Sequence, residues 1–582
     1  MAENILEGVF RPEETPRQRK TKKEKFGDEE IEVVYIETRK PSAEATGFSF
    51  CPPFNPRTYI AEPGILCEQD VPVTMRDGII IYTDIYRPVD QTNIPAIVSW
   101  SMFGKRPGDM PTEWQLMGVP PGTVSRMLKF ESADPGYWCH QGYAVANVDP
   151  RGVGHSQGDV SFLGTQDGRD GYDFVEWLAT QYWCNGKVGM FGNSQVAMTQ
   201  WRIAAEQPPH LTCIAPWEGT GDIYRESFFE GGITGRFAEF ILHAVAGEGY
   251  IEDVVTMAEK YPFINAYWED KTPKWENIKI PVYTTVCWNH FHVRGSIDGF
   301  RQIRSTKKWL RTHREFEWPD TYSTEGLEDL KRFFDRYLKD IRNGWELTPR
   351  VRLEVMDACE YDYQTNRPEK EFPLARTQYK KLYLDAAKGA LSFEPVAKES
   401  KVSYECETGA TTFDIPFEED TEITGYMKLR LWVEADGNDD MDLFITIQKL
   451  DKDGNWLPVT ILEEPHPGAW GKLRVSRREL DEKLSTDFQP IPAHRREQKL
   501  KPGEVVPADI EIWPYSRIWH KGEQLRVLVS GHYIRPEGWF EPLSWKTKNK
   551  GNHIIHSGGK YDSYLQVPVI PPKHQAGDYI YR

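Results

Sequence analysis

Residues 187–205, KVGMFGNSQVAMTQWRIAA, constrain this chain more than any other segment. A short apolar run at 187–191 leads into Gly192-Asn193-Ser194-Gln195-Val196-Ala197, and a helical pattern starts at once. A buried strand that turns sharply into a helix belongs to a parallel sheet covered by helices. Such a turn exposes the Ser194 hydroxyl at the carboxyl end of the sheet, where open α/β folds bind ligands. The helix N-terminus then favours negative charge developing beside it. Strand, Gly-x-Ser and helix in that order form the context of a nucleophile elbow. Here the last small residue, Ala197, comes one position later than in the commonest pattern.

The flanking sequence agrees. Apolar runs bounded by turns occur at 95–100, 143–149 and 280–287, with helical spacing at 171–181 and 324–339. Residues 226–279 read as mostly helical and interrupt the alternation, as a cap insertion would. After about Leu347 the texture becomes period-2 runs such as KLRLWVEA (428–435) and LRVLVSG (525–531), which predict an all-β sandwich or jelly roll. The expected domains are a charged arm (1–45), an α/β domain (46–225 and 280–346), a helical cap (226–279) and a β domain (347–582). The arm is expected to be solvated, with at most one strand near 31–36. The 582 residues carry a net charge of −17, which disfavours nucleic acid as a partner. No apolar run is long enough to span a bilayer, and residues 1–20 lack a secretory signal, so a cytoplasmic protein is expected. Eight cysteines without CxxC spacing encode no zinc ribbon or thioredoxin-like site.

Several segments, in order, resemble the CocE/NonD-type serine hydrolases, which include cocaine esterase and X-prolyl dipeptidyl-peptidase-like enzymes. They are DPRGVGHSQG (149–158), GKVGMFGNS (186–194), FFDRYLKD (333–340), VVPADIEIWP (505–514) and NKGNHIIHSGGKYDSYLQVPVIP (549–571). The resemblance implies an α/β-hydrolase domain with a parallel sheet flanked by helices, a helical cap insertion and a C-terminal jelly roll. It also implies acyl transfer from a small-molecule ester or amide through Ser194, with no cofactor and no metal. A homodimer is compatible with this reading, and no membrane partner is expected.

The rest of the catalytic set departs from that pattern. His313, in KKWLRTHREFEW, is the expected base. The family's acid position falls on Asn289 or on His290, depending on whether the H-x-R-G element or Trp288 sets the register, and neither is a carboxylate. Asp298, Glu315, Glu317 or Asp320 would be displaced substitutes. Phe103 stands where the family often has an oxyanion-binding tyrosine, which leaves the Gln195 backbone N–H as the expected donor. His290 and His292, without a third ligand nearby in sequence, are read as pocket or core residues. The altered stabilisers leave room for a non-hydrolytic enzyme of specialised metabolism, and then for a binding protein on the same scaffold.

Overall fold

The computed structural model describes residues 16–41, 51–106, 117–462, 464–533 and 545–572. They form two compact units. One takes the chain up to Tyr224, then Phe237–Leu310 and Glu315–Thr348; the other takes Arg225–Arg236, Arg311–Arg314 and the chain from Pro349.

The first unit is built on a mixed sheet. Strand Ile80–Pro88 pairs antiparallel with Ala144–Asp149, after which Ile94–Trp100, Cys184–Asn193, Leu211–Trp217 and Val282–Cys287 follow in parallel. The alternation of side chains decides what each face packs against. Ala96, Val98, Trp100, Val188 and Met190 meet Phe174 and Leu178 of helix Thr165–Ala179 and Trp201 of helix Ser194–Ala205. Ile97, Val145, Phe191 and Ala215 meet Trp138, Phe333 and Phe334 on the opposite side. With both faces covered, the strands read as continuous apolar runs, which is why they were legible.

The strand expected near 31–36 is present, but the N-terminal stretch is not a solvated arm. Arg19–Phe26 and Glu29–Glu37 form an antiparallel hairpin, and Tyr250–Glu252 adds a third strand at 35–37. Val33, Tyr35 and Ile36 are buried, while Arg19 bonds Asp253 at 2.7 Å and Lys20 and Lys22 both reach Asp159. The basic run thus balances acids of its own unit. Ile36→Val should lower the stability of this unit by about 0.5–1.5 kcal/mol in a denaturant titration, whereas a solvated arm would give no change.

The cap region is less helical than expected. Phe237–Ala244, Val254–Lys260 and Ala266–Asp270 are short helices separated by irregular chain. Gly247 explains one break: a Cβ there would lie 2.0 Å from the Gly152 carbonyl oxygen, so the segment must run backbone against backbone over the 149–158 loop.

The second unit is antiparallel. Its long strand Thr421–Asp436 pairs with Val506–Trp519 on one side and with Asn552–Ser557 and Tyr564–Ile570 on the other. Asp442–Leu450 pairs with Ala469–Arg474 and Gln524–Ser530. Alternate burial along 421–436 is the physical form of the period-2 pattern.

Candidate active site

Ser194 sits at the junction of strand Cys184–Asn193 and helix Ser194–Ala205. Its φ is +50°, the left-handed region that a non-glycine residue holds only where its surroundings enforce it. Close packing does so here. A Cβ at Gly192 would meet Val196 and the Glu131 carbonyl oxygen at 2.3 and 2.7 Å, and one at Gly219 would meet Ala197 at 3.0 Å. The small residue displaced to position 197 therefore lies where Gly219 of the neighbouring loop packs close to the elbow helix. The Glu131 carbonyl accepts the Asn193 N–H at 3.0 Å, and the Asn193 amide reaches Thr321 at 2.8 Å.

The ring on Ser194 is that of His292, not His313. His292 Nε2 lies 3.0 Å from the Ser194 Oγ, and its Nδ1 lies 2.6 Å from the Thr220 Oγ1. Thr220 follows strand Leu211–Trp217, and His292 immediately precedes helix Val293–Gln302, so two strand ends and the elbow converge. His313 ends strand Lys308–His313, is buried, and belongs to the second unit, where its charge acts on Glu354. Burial holds the His292 pKa well below the ordinary imidazole value, and nearby His290 adds to the effect. The ring is thus neutral, and in the tautomer whose Nδ1–H donates to Thr220 its Nε2 is able to accept a proton.

Asn289 is buried and donates its backbone N–H to the Cys287 Sγ at 3.3 Å; the group on the His292 Nδ1 is Thr220. Trp288 is fully buried. His290 accepts the His292 backbone N–H at 3.2 Å and lies 3.5 Å from Glu317 and 3.9 Å from Glu218. Of the displaced carboxylates, Glu317 enters this cluster, while Asp298 serves Arg294 and Arg301. Gln195 accepts the Met102 N–H at 3.0 Å through its side chain, which ties the 101–105 segment to the elbow helix. Its backbone N–H is in the first turn of that helix, among the donors without an intrahelical partner. Phe103 packs edge-to-face on Phe130 with centroids 5.3 Å apart.

The third ligand that the sequence reading lacked for a metal is Glu317: its donor atoms and those of His290 and His292 lie within 4.8 Å of one another. Both His292 nitrogens are already engaged, so a cation here would compete with the serine contact. The residues fit the serine pair better than a metal centre. Thr220 and Glu131 escaped sequence reasoning, where His292 reads only as a pocket or core residue. The order serine, orienting group, histidine was the available signal, since Ser194, Thr220 and His292 obey it.

A mixed, mainly parallel α/β sheet with a left-handed serine at its elbow and a histidine on that serine defines the α/β-hydrolase class. Residues 77–240 match the X-Pro dipeptidyl-peptidase (S15) family, and residues 343–566 match the X-Pro dipeptidyl-peptidase C-terminal non-catalytic domain. A CocE/NonD family hydrolase from Staphylococcus aureus is 36% identical; its crystal structure covers 87% of this chain, which covers 94% of it, with a TM-score of 0.83. The chain belongs to the CocE/NonD family. It is also similar to the cocaine esterase of Rhodococcus sp. (strain MB1 Bresler), 26% identical over 390 residues. That alignment covers 55% of this chain and 62% of the esterase, less than two thirds of the curated relative. An α-amino acid ester hydrolase with 17% identity and a TM-score of 0.66, covering 89% of this chain and 99% of its own, shares the fold.

Proposed function

We propose that the protein is a serine hydrolase or acyltransferase that acts on a small-molecule ester or amide through an acyl-Ser194 intermediate. The observation that carries this reading is the 3.0 Å contact between the His292 Nε2 and the hydroxyl of a serine held at φ +50°. His292 takes the role first expected of His313. As the Ser194 Oγ adds to the substrate carbonyl carbon, its proton passes to Nε2, and the carbonyl π pair moves to oxygen. The Gln195 N–H and the helix N-terminus stabilise that oxygen. Collapse expels the alcohol or amine, which takes the proton from Nε2; water or an acceptor alcohol then releases the acyl group with His292 as base.

The group on Nδ1 is a hydroxyl rather than a carboxylate, so the imidazolium gains orientation without a full countercharge. This observation favours, as a second reading, a non-hydrolytic acid–base reaction of specialised metabolism in the same pocket. A fluorophosphonate probe separates the two. Labelling should map to the 187–205 peptide and vanish in Ser194→Ala, together with turnover of phenyl acetate. A folded protein that leaves this peptide unmodified removes the covalent mechanism.

A further inference from the structure

Glu131 is a buried acid with no place in the mechanism so far. It is 2% exposed, its backbone sits at φ +59°, and its carbonyl braces the elbow through Asn193. One carboxyl oxygen accepts the Trp318 indole N–H at 3.3 Å. The other is buried with no hydrogen-bond partner among the described residues, although the Ser194 hydroxyl is among the dipoles acting on the group. A buried carboxyl oxygen left open beside a nucleophile is costly unless something else completes it.

We propose that the Glu131 carboxylic acid is a catalytic residue that donates a hydrogen bond to the carbonyl oxygen of the bound acyl group as Ser194 adds to it. The inference rests on the acyl-Ser194 reading. The Ser194 Oγ–carbon bond forms, the carbonyl π pair moves to oxygen, the serine proton goes to the His292 Nε2, and Glu131 keeps its own proton while sharing it with the oxyanion. When the carbonyl re-forms, the bond to the leaving group breaks and His292 protonates that group. Glu131 thereby supplies a side-chain donor, which Phe103 cannot.

The donor must be protonated, and its surroundings make it so. Burial raises the Glu131 pKa well above the ordinary carboxyl range, and the nearby charge of Glu317 raises it further. Trp318, Lys129 and Ser194 act the other way, more weakly. Lys129 is itself buried and is pulled down to about 7, so it offers only partial positive charge at neutral pH. Tyr322, whose hydroxyl donates to the Ser132 carbonyl, also faces Glu131, and its ionisation is pushed well above the ordinary phenol value. Like charges in one dry site do not readily both ionise, which favours the protonated form of Glu131.

The test is the pH dependence of kcat/KM for phenyl acetate. In the parent protein the rate should fall on the alkaline side as Glu131 ionises. Glu131→Gln keeps an N–H donor that does not titrate, so activity at neutral pH should stay within about tenfold and the alkaline fall should disappear. Glu131→Leu should lose about 10²–10³-fold on the plateau below the alkaline limb, the typical value of one oxyanion donor, with the deficit shrinking as Glu131 of the parent ionises. An alkaline fall that persists in Glu131→Gln belongs to Lys129 or another group and overturns the proposal, as does full activity in Glu131→Leu. If neither variant folds, a parent profile without an alkaline fall overturns it just as well. In each case labelled Ser194 shows that the hydrolase reading still stands, and an unlabelled parent shows that the underlying reading is what failed.

Discussion

His292→Ala should lower kcat/KM for phenyl acetate by roughly 10⁴–10⁶-fold, the scale seen when a serine hydrolase loses its general base. His313→Ala should cost tenfold or less. The difference follows from geometry: the His292 Nε2 is 3.0 Å from the Ser194 Oγ, while the His313 ring acts on Glu354 in the second unit. A double variant that also lacks Ser194 should be no worse than either single catalytic variant, because serine and base act as one unit. Fluorophosphonate labelling should slow in parallel with turnover in His292→Ala and stay near the parent rate in His313→Ala. The opposite ranking would return the base to His313 and leave His292 as a packing residue.

The sequence made the central sheet legible because its strands are buried on both faces and its helices keep a 3.6-residue period. The β-rich half was legible from the alternate burial along 421–436. The N-terminal hairpin was not, for a physical reason. Arg19–Phe26 is almost wholly polar and has little burial of its own, and its partner Glu29–Glu37 is completed by a strand more than two hundred residues away, at 250–252. A charged run that folds only on a distant partner looks like an arm. The elbow serine could be read because a single segment encodes strand, turn and helix. Its partners could not, since Thr220 and His292 lie on loops after different strands and carry no local pattern. In sequence His292 reads only as a pocket or core residue, since strand Val282–Cys287 has already ended when the chain reaches it and no local period shows what it faces. Glu131 was invisible for the opposite reason: a lone glutamate reads as solvent-facing until the fold buries it.

Thr220 should tune the site in both directions. In the tautomer that leaves Nε2 free for the serine proton, its hydroxyl accepts from the Nδ1–H of a neutral His292. Thr220→Val keeps the shape but leaves that buried N–H without an acceptor, a loss of about 1–3 kcal/mol that also releases the competing tautomer. The expected fall in kcat/KM is roughly 10- to 100-fold, with KM little changed. Thr220→Asp places a carboxylate on Nδ1, which fixes the tautomer and stabilises the imidazolium formed in the transition state. Turnover at pH 8 should rise by about 10-fold or more, short of the ~10⁴ that separates carboxylate from amide in an optimised triad. Glu218, which lies 3.9 Å from His290 in the same buried cluster, limits the gain by opposing another negative charge. The pH profile supplies an independent sign. On the acyl-Ser194 reading activity requires neutral His292, and burial together with His290 lowers its pKa, so the parent should keep its rate well below pH 6.5, the ordinary imidazole value. A neighbouring carboxylate favours the charged ring and raises that pKa. The acid limb of Thr220→Asp should therefore move to higher pH even as its plateau rises, while that of Thr220→Val should not move upward. An unchanged profile in both variants would mean that Thr220 does not orient His292, and a plateau that falls in Thr220→Asp while the limb shifts would mark a native reaction needing the weaker base, as in the non-hydrolytic reading.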